Sequence, residues 1–176
     1  MNNVLVFCFT ACVVILTAGC GGGAEQKERK LKESDLKEPF IEANRRVVKT
    51  ETQHINDFLK RYRWPVKETG SGLKYYVYHH GKGKKAQPDD VAEVNRSVKL
   101  ITGDLVYSSE KSGPLVFTIG KGQVVRGLEE GILLLRVGDK AKFIIPSHLG
   151  YGLLGDQDKI PPKATLIYDV ELINLK

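Results

Sequence analysis

At 176 residues and 41% apolar, the chain is long enough to bury one ordinary core, with a remainder left for targeting and spacing segments. Its net charge of +6 is mild and evenly spread, with 12 basic against 9 acidic side chains in residues 20–69 and 15 against 12 in residues 70–176. No segment carries the concentrated positive field of a nucleic-acid surface, and all three cysteines, Cys8, Cys12 and Cys20, precede residue 21, which excludes a disulfide framework for the folded part.

Val4 to Leu16 is an apolar run of signal-peptide length, shorter than the roughly 20 residues that span a bilayer, so residues 1–19 are expected to be a signal and not a membrane helix. Thr17-Ala18-Gly19-Cys20 resembles the lipobox of bacterial lipoproteins, which implies cleavage before Cys20 and a diacylglycerol on its thiol. Gly21-Gly22-Gly23 suits a lipidated end that must reach a bilayer while the rest stays in water. Two or three acyl chains, at about 0.8 kcal/mol per buried methylene, would hold without a spanning helix. The likeness to lipoproteins places the chain in a cell envelope, anchored by lipid to a membrane, the outer more than the inner given Gly21. Its domain would then lie in the periplasm or outside the cell.

Residues 24–38 are almost all charged or polar, and 20–38 are expected to form a flexible linker from the lipidated Cys20. After Pro39, which a first helical turn tolerates, apolar residues recur at Phe40, Ala43, Val47, Ile55, Phe58, Leu59 and Tyr62. This spacing predicts a helical arm over 39–64, about 25 residues and roughly 40 Å long. Lys49, Glu51 and His54 interrupt its apolar stripe. Three arrangements stay open: the arm pairs with a second copy as a homodimer, it folds back on its own domain, or it is a solvated spacer with an apolar edge.

From residue 72 to 176 the texture changes to short β-rich segments bounded by Gly, Pro and Asp. Strands are predicted at 73–78, 91–101, 105–108, 115–119, 141–145 and 165–175, with a turn at Thr102-Gly103-Asp104. A single helix is predicted between Gly127 and Arg136, where Leu128, Ile132 and Leu135 share a face. Many strands around one short helix predict an α+β fold, an antiparallel sheet packed on that helix and preceded by the long arm.

Here the residues become specific. Leu105-Val106-Tyr107-Ser108-Ser109, the run from Phe117 through Val124-Val125-Arg126-Gly127-Leu128 to Gly131, Val137-Gly138-Asp139, Ile145-Pro146 with Gly150-Tyr151-Gly152, and Ile160-Pro161-Pro162 through Leu172 follow one another at fixed spacing. They resemble, in order, the signatures of the FKBP family. With the signal, the arm and Gly70-Ser71-Gly72-Leu73-Lys74-Tyr75-Tyr76, the whole chain is similar to gliding-motility-associated FKBP-like lipoproteins. The resemblance implies a peptidyl-prolyl cis–trans isomerase that needs no cofactor and no metal and acts on proline-containing unfolded or client proteins.

Carried over residue by residue, the resemblance makes Tyr107 a wall aromatic, Leu128 the floor, Tyr168 the far side and Leu115 the rim. Val124 and Val125 would lie at the helix entrance. Tyr151 and the backbone N–H of Ile160 would be the donors to substrate carbonyls. Departures from the family pattern fall at Ser97 for a strand tyrosine, Ser108 for an aspartate, Leu115 for a phenylalanine and Leu128 for a tryptophan. Losing an indole and a ring removes about 1–3 kcal/mol of contact, which predicts a shallower site. A non-catalytic binding or assembly factor on the same fold, and a mainly structural envelope lipoprotein, are the rival functions. His79 and His80 would face opposite sides of a strand and hold no metal together, and Gly81-Lys82-Gly83 and Gly120-Lys121-Gly122 lack the full phosphate-loop spacing.

Overall fold

Alternating apolar side chains along residues 91–100 and 166–175 mark strands that bury one face. In the computed structural model, which describes residues 33–176, these two segments are the longest strands of a single antiparallel sheet. Helix α1 (Glu33–Tyr62) comes first, followed by β1 (Lys67–Glu68), β2 (Lys74–His79), β3 (Val91–Leu100), β4 (Leu105–Ser108) and α2 (Ser109–Ser112). Then come β5 (Leu115–Thr118), α3 (Arg126–Leu133), β6 (Lys140–Ile145), a 3-10 turn (Ser147–Leu149) and β7 (Leu166–Leu175). The sheet runs β1-β2-β6-β7-β3-β4, and β5 pairs with the first half of β3. Since β4 pairs with Ser97 to Lys99 and β5 with Val91 to Val94, the two are halves of one edge, interrupted by α2.

Side-chain alternation sends Ala141, Phe143 and Ile145 of β6, and Leu166, Tyr168, Val170 and Leu172 of β7, into the main core. Helix α3 lies on that face with Leu128 and Ile132 buried among them. Its seat is shaped by two glycines one turn apart. A Cβ added at Gly127 would stand 2.5 Å from Ile145 Cγ2, and one at Gly131 would stand 2.5 Å from Phe143 Cε2. The backbone of α3 therefore rests directly on β6.

Ile144 and Ile167 point to the other face of the sheet, yet both are buried, as is Ile55 of α1. Phe58, Tyr62 and Trp64 close over this face, sharing a hollow with Ile167, Lys142 and Asp169. Glu51 fixes the helix at its middle, its carboxylate accepting from the Ser147 amide at 2.6 Å, the Ser147 hydroxyl at 2.9 Å and the Thr165 hydroxyl at 2.6 Å. The arm thus folds back through its second half. Towards its start Phe40 and Ile41 are exposed, as is Val48 further along.

The predicted strands and the short helix fall where expected, but the arm does not. Helix α1 begins at Glu33, six residues before Pro39, which lies inside it, so 33–38 belong to helix and not to linker. Glu, Leu and Lys are strong helix formers, and a charged stretch rich in them can be solvated and helical at once. The sheet also starts before residue 72, because Lys67 and Glu68 pair with Tyr75 and Lys74. The expected signal and Cys20 lie outside the described residues. No helix among the described residues is long and apolar enough to cross a membrane.

Gly131→Ala should overpack α3 against the Phe143 ring and lower stability by about 1–3 kcal/mol, read as a lower urea midpoint at unchanged slope. Glu51→Ala leaves the Ser147 amide and two hydroxyls without their acceptor and should cost about 1–3 kcal/mol. Trp64 is the only tryptophan in the sequence and sits at this seam, so its emission should shift to the red as the helix loosens.

Candidate functional site

Two glycines in left-handed backbone, Gly120 at φ +85 and Gly122 at φ +66, turn the chain from β5 into α3. The turn is tied on both sides: the Thr118 amide donates to Gln123 Oε1 at 2.8 Å and the Gly122 amide to Glu129 Oε1 at 2.9 Å. Val125 then occupies the cap position of α3 with extended backbone and makes no side-chain cap bond. A valine has no side chain to cap with, and within the first turn the Leu128 amide donates to the Val125 carbonyl at 2.9 Å. Among the described residues, the Val125 N–H itself meets no acceptor.

Val125 lines a hollow of about 170 Å³. Leu128, fully buried, is its floor, and Val124 and Val125 stand at its entrance. Tyr107 comes from β4, Leu115 from β5 and Tyr168 from β7, while Tyr151 arrives on the loop after the 3-10 turn. Seven of the eight residues singled out from the sequence therefore line one cavity.

Ile160 does not line it. Its side chain is in the core, and its amide donates to Asp156 Oδ1 at 2.7 Å, so the expected donor is already engaged. The same oxygen takes the amides of Asp158 and Lys159, each at 3.0 Å, while the Tyr107 hydroxyl donates to Oδ2. One carboxylate clasps the loop 156–160 to the wall of the hollow. The open amide of this site is that of Val125.

Arg96 and Gln123 also line the hollow, and neither was foreseen. Arg96 stands on β3 between Val94 and Val98, both fully buried, so it faces inward. Ser97, expected at the inward position of the family tyrosine, pairs with Asp169 and lines the hollow on the opposite face of the sheet. The signal was present as a charged residue in phase with Ala92, Val94, Val98 and Leu100. Ser108, at the place of the family aspartate, accepts the Glu110 amide at 3.2 Å and caps α2. The carboxylate in the site comes from Asp156 instead.

The three tyrosines hold their protons. The hydrogen bond to Asp156, with burial and the charge of that carboxylate, pushes the Tyr107 hydroxyl well above its ordinary value of 10.0. Burial does the same for Tyr168. Burial and then the charge of Asp156 raise Tyr151, partly offset by the Arg96 cation. Burial works against the Asp156 carboxylate, but donation from Tyr107 and the Ile160, Asp158 and Lys159 amides outweighs it and holds the group below its ordinary 3.8. The tyrosine hydroxyls are thus neutral donors, with the Arg96 cation in the lining of the hollow and the Asp156 carboxylate behind Tyr107.

A family model for FKBP-type peptidyl-prolyl cis-trans isomerase matches residues 82–173, which include every lining residue of the hollow. The chain belongs to this family. It is 42% identical over 111 residues to a probable FKBP-type isomerase, FkpA, of Neisseria meningitidis serogroup B, covering 62% of this chain and 40% of that protein. It is 45% identical over 92 residues to FK506-binding protein 2 of Dictyostelium discoideum, covering 52% of this chain and 69% of that one. The crystal structure of FkpA from Escherichia coli superposes with a TM-score of 0.61 at 31% identity, covering 84% of this chain and 74% of that one. The chain spans less than half the length of the Neisseria protein and of the similar Haemophilus influenzae protein.

The tyrosines set a pH dependence whose sign is fixed. Unfolded tyrosines lose their protons near pH 10 and the folded ones later, so this stabilisation is complete below about pH 10 and is lost as pH rises through the folded values. The contribution of Asp156 has the opposite sense: present above its unfolded 3.8, it is lost as pH falls through the lower folded value. Unfolding the protein at about pH 11 should therefore raise tyrosinate absorbance, and Asp156→Asn, which removes the first cause of the Tyr107 shift, should bring one tyrosine into an earlier native titration.

Proposed function

We propose that the chain is a peptidyl-prolyl cis–trans isomerase that acts on proline-containing segments of unfolded or client proteins. The observation that carries this is the unpaired Val125 amide at the mouth of a hollow walled by tyrosines and floored by Leu128. Rotation about an X–Pro bond crosses a barrier of about 18–20 kcal/mol because it breaks the amide resonance. No nucleophile is needed. The pyrrolidine ring enters the hollow and desolvates the amide, while the Val125 N–H and the Tyr151 hydroxyl donate to carbonyl oxygens of the substrate. Donors in fixed positions favour the twisted bond over either planar form. The cavity is smaller than the roughly 300–1,000 Å³ typical of small-molecule sites, so the chain should act on clients without holding them or a macrolide tightly.

The envelope setting rests on sequence features. The apolar run Val4 to Leu16 and Thr17-Ala18-Gly19-Cys20 support a lipoprotein anchored through Cys20, in the outer membrane, with clients among envelope or secreted proteins. The exposed Phe40, Ile41 and Val48 of α1 support a homodimer through these side chains, Glu51 and Ile55 being docked against the domain.

A proline-peptide isomerisation assay on the full chain tests the proposal. Val125 has φ −61, a value proline shares, so Val125→Pro deletes the donor without forcing the backbone. It should lower kcat/KM about a hundredfold, and Tyr151→Phe about tenfold, with the circular dichroism unchanged. Wild-type activity at background would leave a binding factor on the same fold, and activity indifferent to both substitutions would refute the assigned donors.

A further inference from the structure

Tyr151 stands in the wall of the hollow without a helix or strand to hold it. It follows the 3-10 turn (Ser147–Leu149) in a loop, with a glycine on either side. One carbonyl fixes both of those glycines: the Gly150 amide donates to the Ser147 oxygen at 3.0 Å and the Gly152 amide to the same oxygen at 2.8 Å. Tyr151 is the middle residue of a clasp centred on Ser147. On the far side of the loop the Lys163 amide donates to the Gly152 carbonyl at 2.8 Å, just before Thr165 and β7.

Ser147 and Thr165 bracket this loop, both are buried, and both are held by one side chain of α1. Glu51 Oε1 accepts the Ser147 amide at 2.6 Å and the Thr165 hydroxyl at 2.6 Å, while Oε2 accepts the Ser147 hydroxyl at 2.9 Å. Further along α1, Ile55 is buried and Phe58, Tyr62 and Trp64 close over the sheet, so apolar contact already joins the helix to the domain. The carboxylate adds a different kind of bond. Among the described residues no ion pair engages Glu51, and its charge is met by donors from the two ends of the Tyr151 loop.

We propose that Glu51 is a positioning residue for the Tyr151 hydroxyl, fixing through Ser147 the loop that aims this donor at the substrate. The proposal deepens the isomerase reading above and rests on it. Hydrogen bonds to an ionised acceptor are shorter and stronger than neutral ones, so Glu51 sets the place of Ser147 more firmly than a serine or an amide would. A donor already in place stabilises the twisted amide without reorganising as the bond turns, whereas a donor on a loose loop must first be ordered. The Val125 amide belongs to the start of α3 and the floor to Leu128, and neither is bonded to Ser147 or Thr165. Loss of Glu51 therefore weakens donation from Tyr151 and spares the seat of the proline ring.

Proline-peptide isomerisation by the full chain decides it, at a temperature where circular dichroism shows each variant folded. Glu51→Ala should lower kcat about fivefold with KM held, and Glu51→Gln, which keeps an acceptor oxygen, should restore most of the loss. The double variant Glu51→Ala/Tyr151→Phe should be no slower than Tyr151→Phe alone, within about twofold, because the first residue acts through the second. Full kcat in Glu51→Ala, or losses that multiply in the double variant, would overturn the proposal and leave Glu51 a bond of stability only. A second readout needs no activity: with 3-fluorotyrosine in place of Tyr151, the fluorine resonance should move in Glu51→Ala and return in Glu51→Gln. Ser147→Ala, which deletes only the bond to Oε2, should move it less and in the same direction, and it serves where Glu51→Ala does not fold. A wild-type chain without isomerase activity sinks the isomerase reading, while a resonance that stays put in the folded variants sinks the link from Glu51 to Tyr151.

Discussion

Everything at the site depends on how closely α3 lies on β6. Gly127 and Gly131 remove the two side chains that would otherwise hold the helix off Ile145 and Phe143. That approach fixes the height of Leu128 and hence the depth of the hollow. It also fixes where the helix begins, and so where its unsatisfied amides point. The core and the candidate site are consequences of one contact, and neither could be retuned without the other.

Charge is managed by removing it from the walls. Asp156 is surrounded by donors and carries its negative charge into a clasp, so the tyrosines beside it remain neutral. Arg96 is the exception, a cation on the inward face of β3 that eases ionisation of Tyr151 and Tyr168 against the push of burial. The proposed isomerisation moves no proton, so what it asks of the hollow is dipoles in fixed places, and an acid or base of intermediate pKa would add nothing to it.

The sheet, the short helix and most of the wall were legible because strand alternation and helical spacing report burial directly. Where the reading failed, the failure was one of phase or of loop geometry. Counting Ala92, Val94, Val98 and Leu100 as one face leaves Arg96 inside and Ser97 outside, the reverse of where the family pattern was carried over. The engaged amide of Ile160 depends on a carboxylate four residues earlier in an irregular loop, a bond no periodicity encodes. The open amide of Val125 is an absence, visible in the sequence only as a cap position without a capping side chain. The early start of α1 was hidden because solvated helix and solvated linker share a composition.

The margins of the sheet bear on how the chain avoids pairing with others. One border is β1, two residues long; the other is β4 and β5, four residues each and split by α2. A long bare border would recruit any sticky segment as an added strand and seed aggregates. With borders this short, the sheet offers another chain little template on which to polymerise.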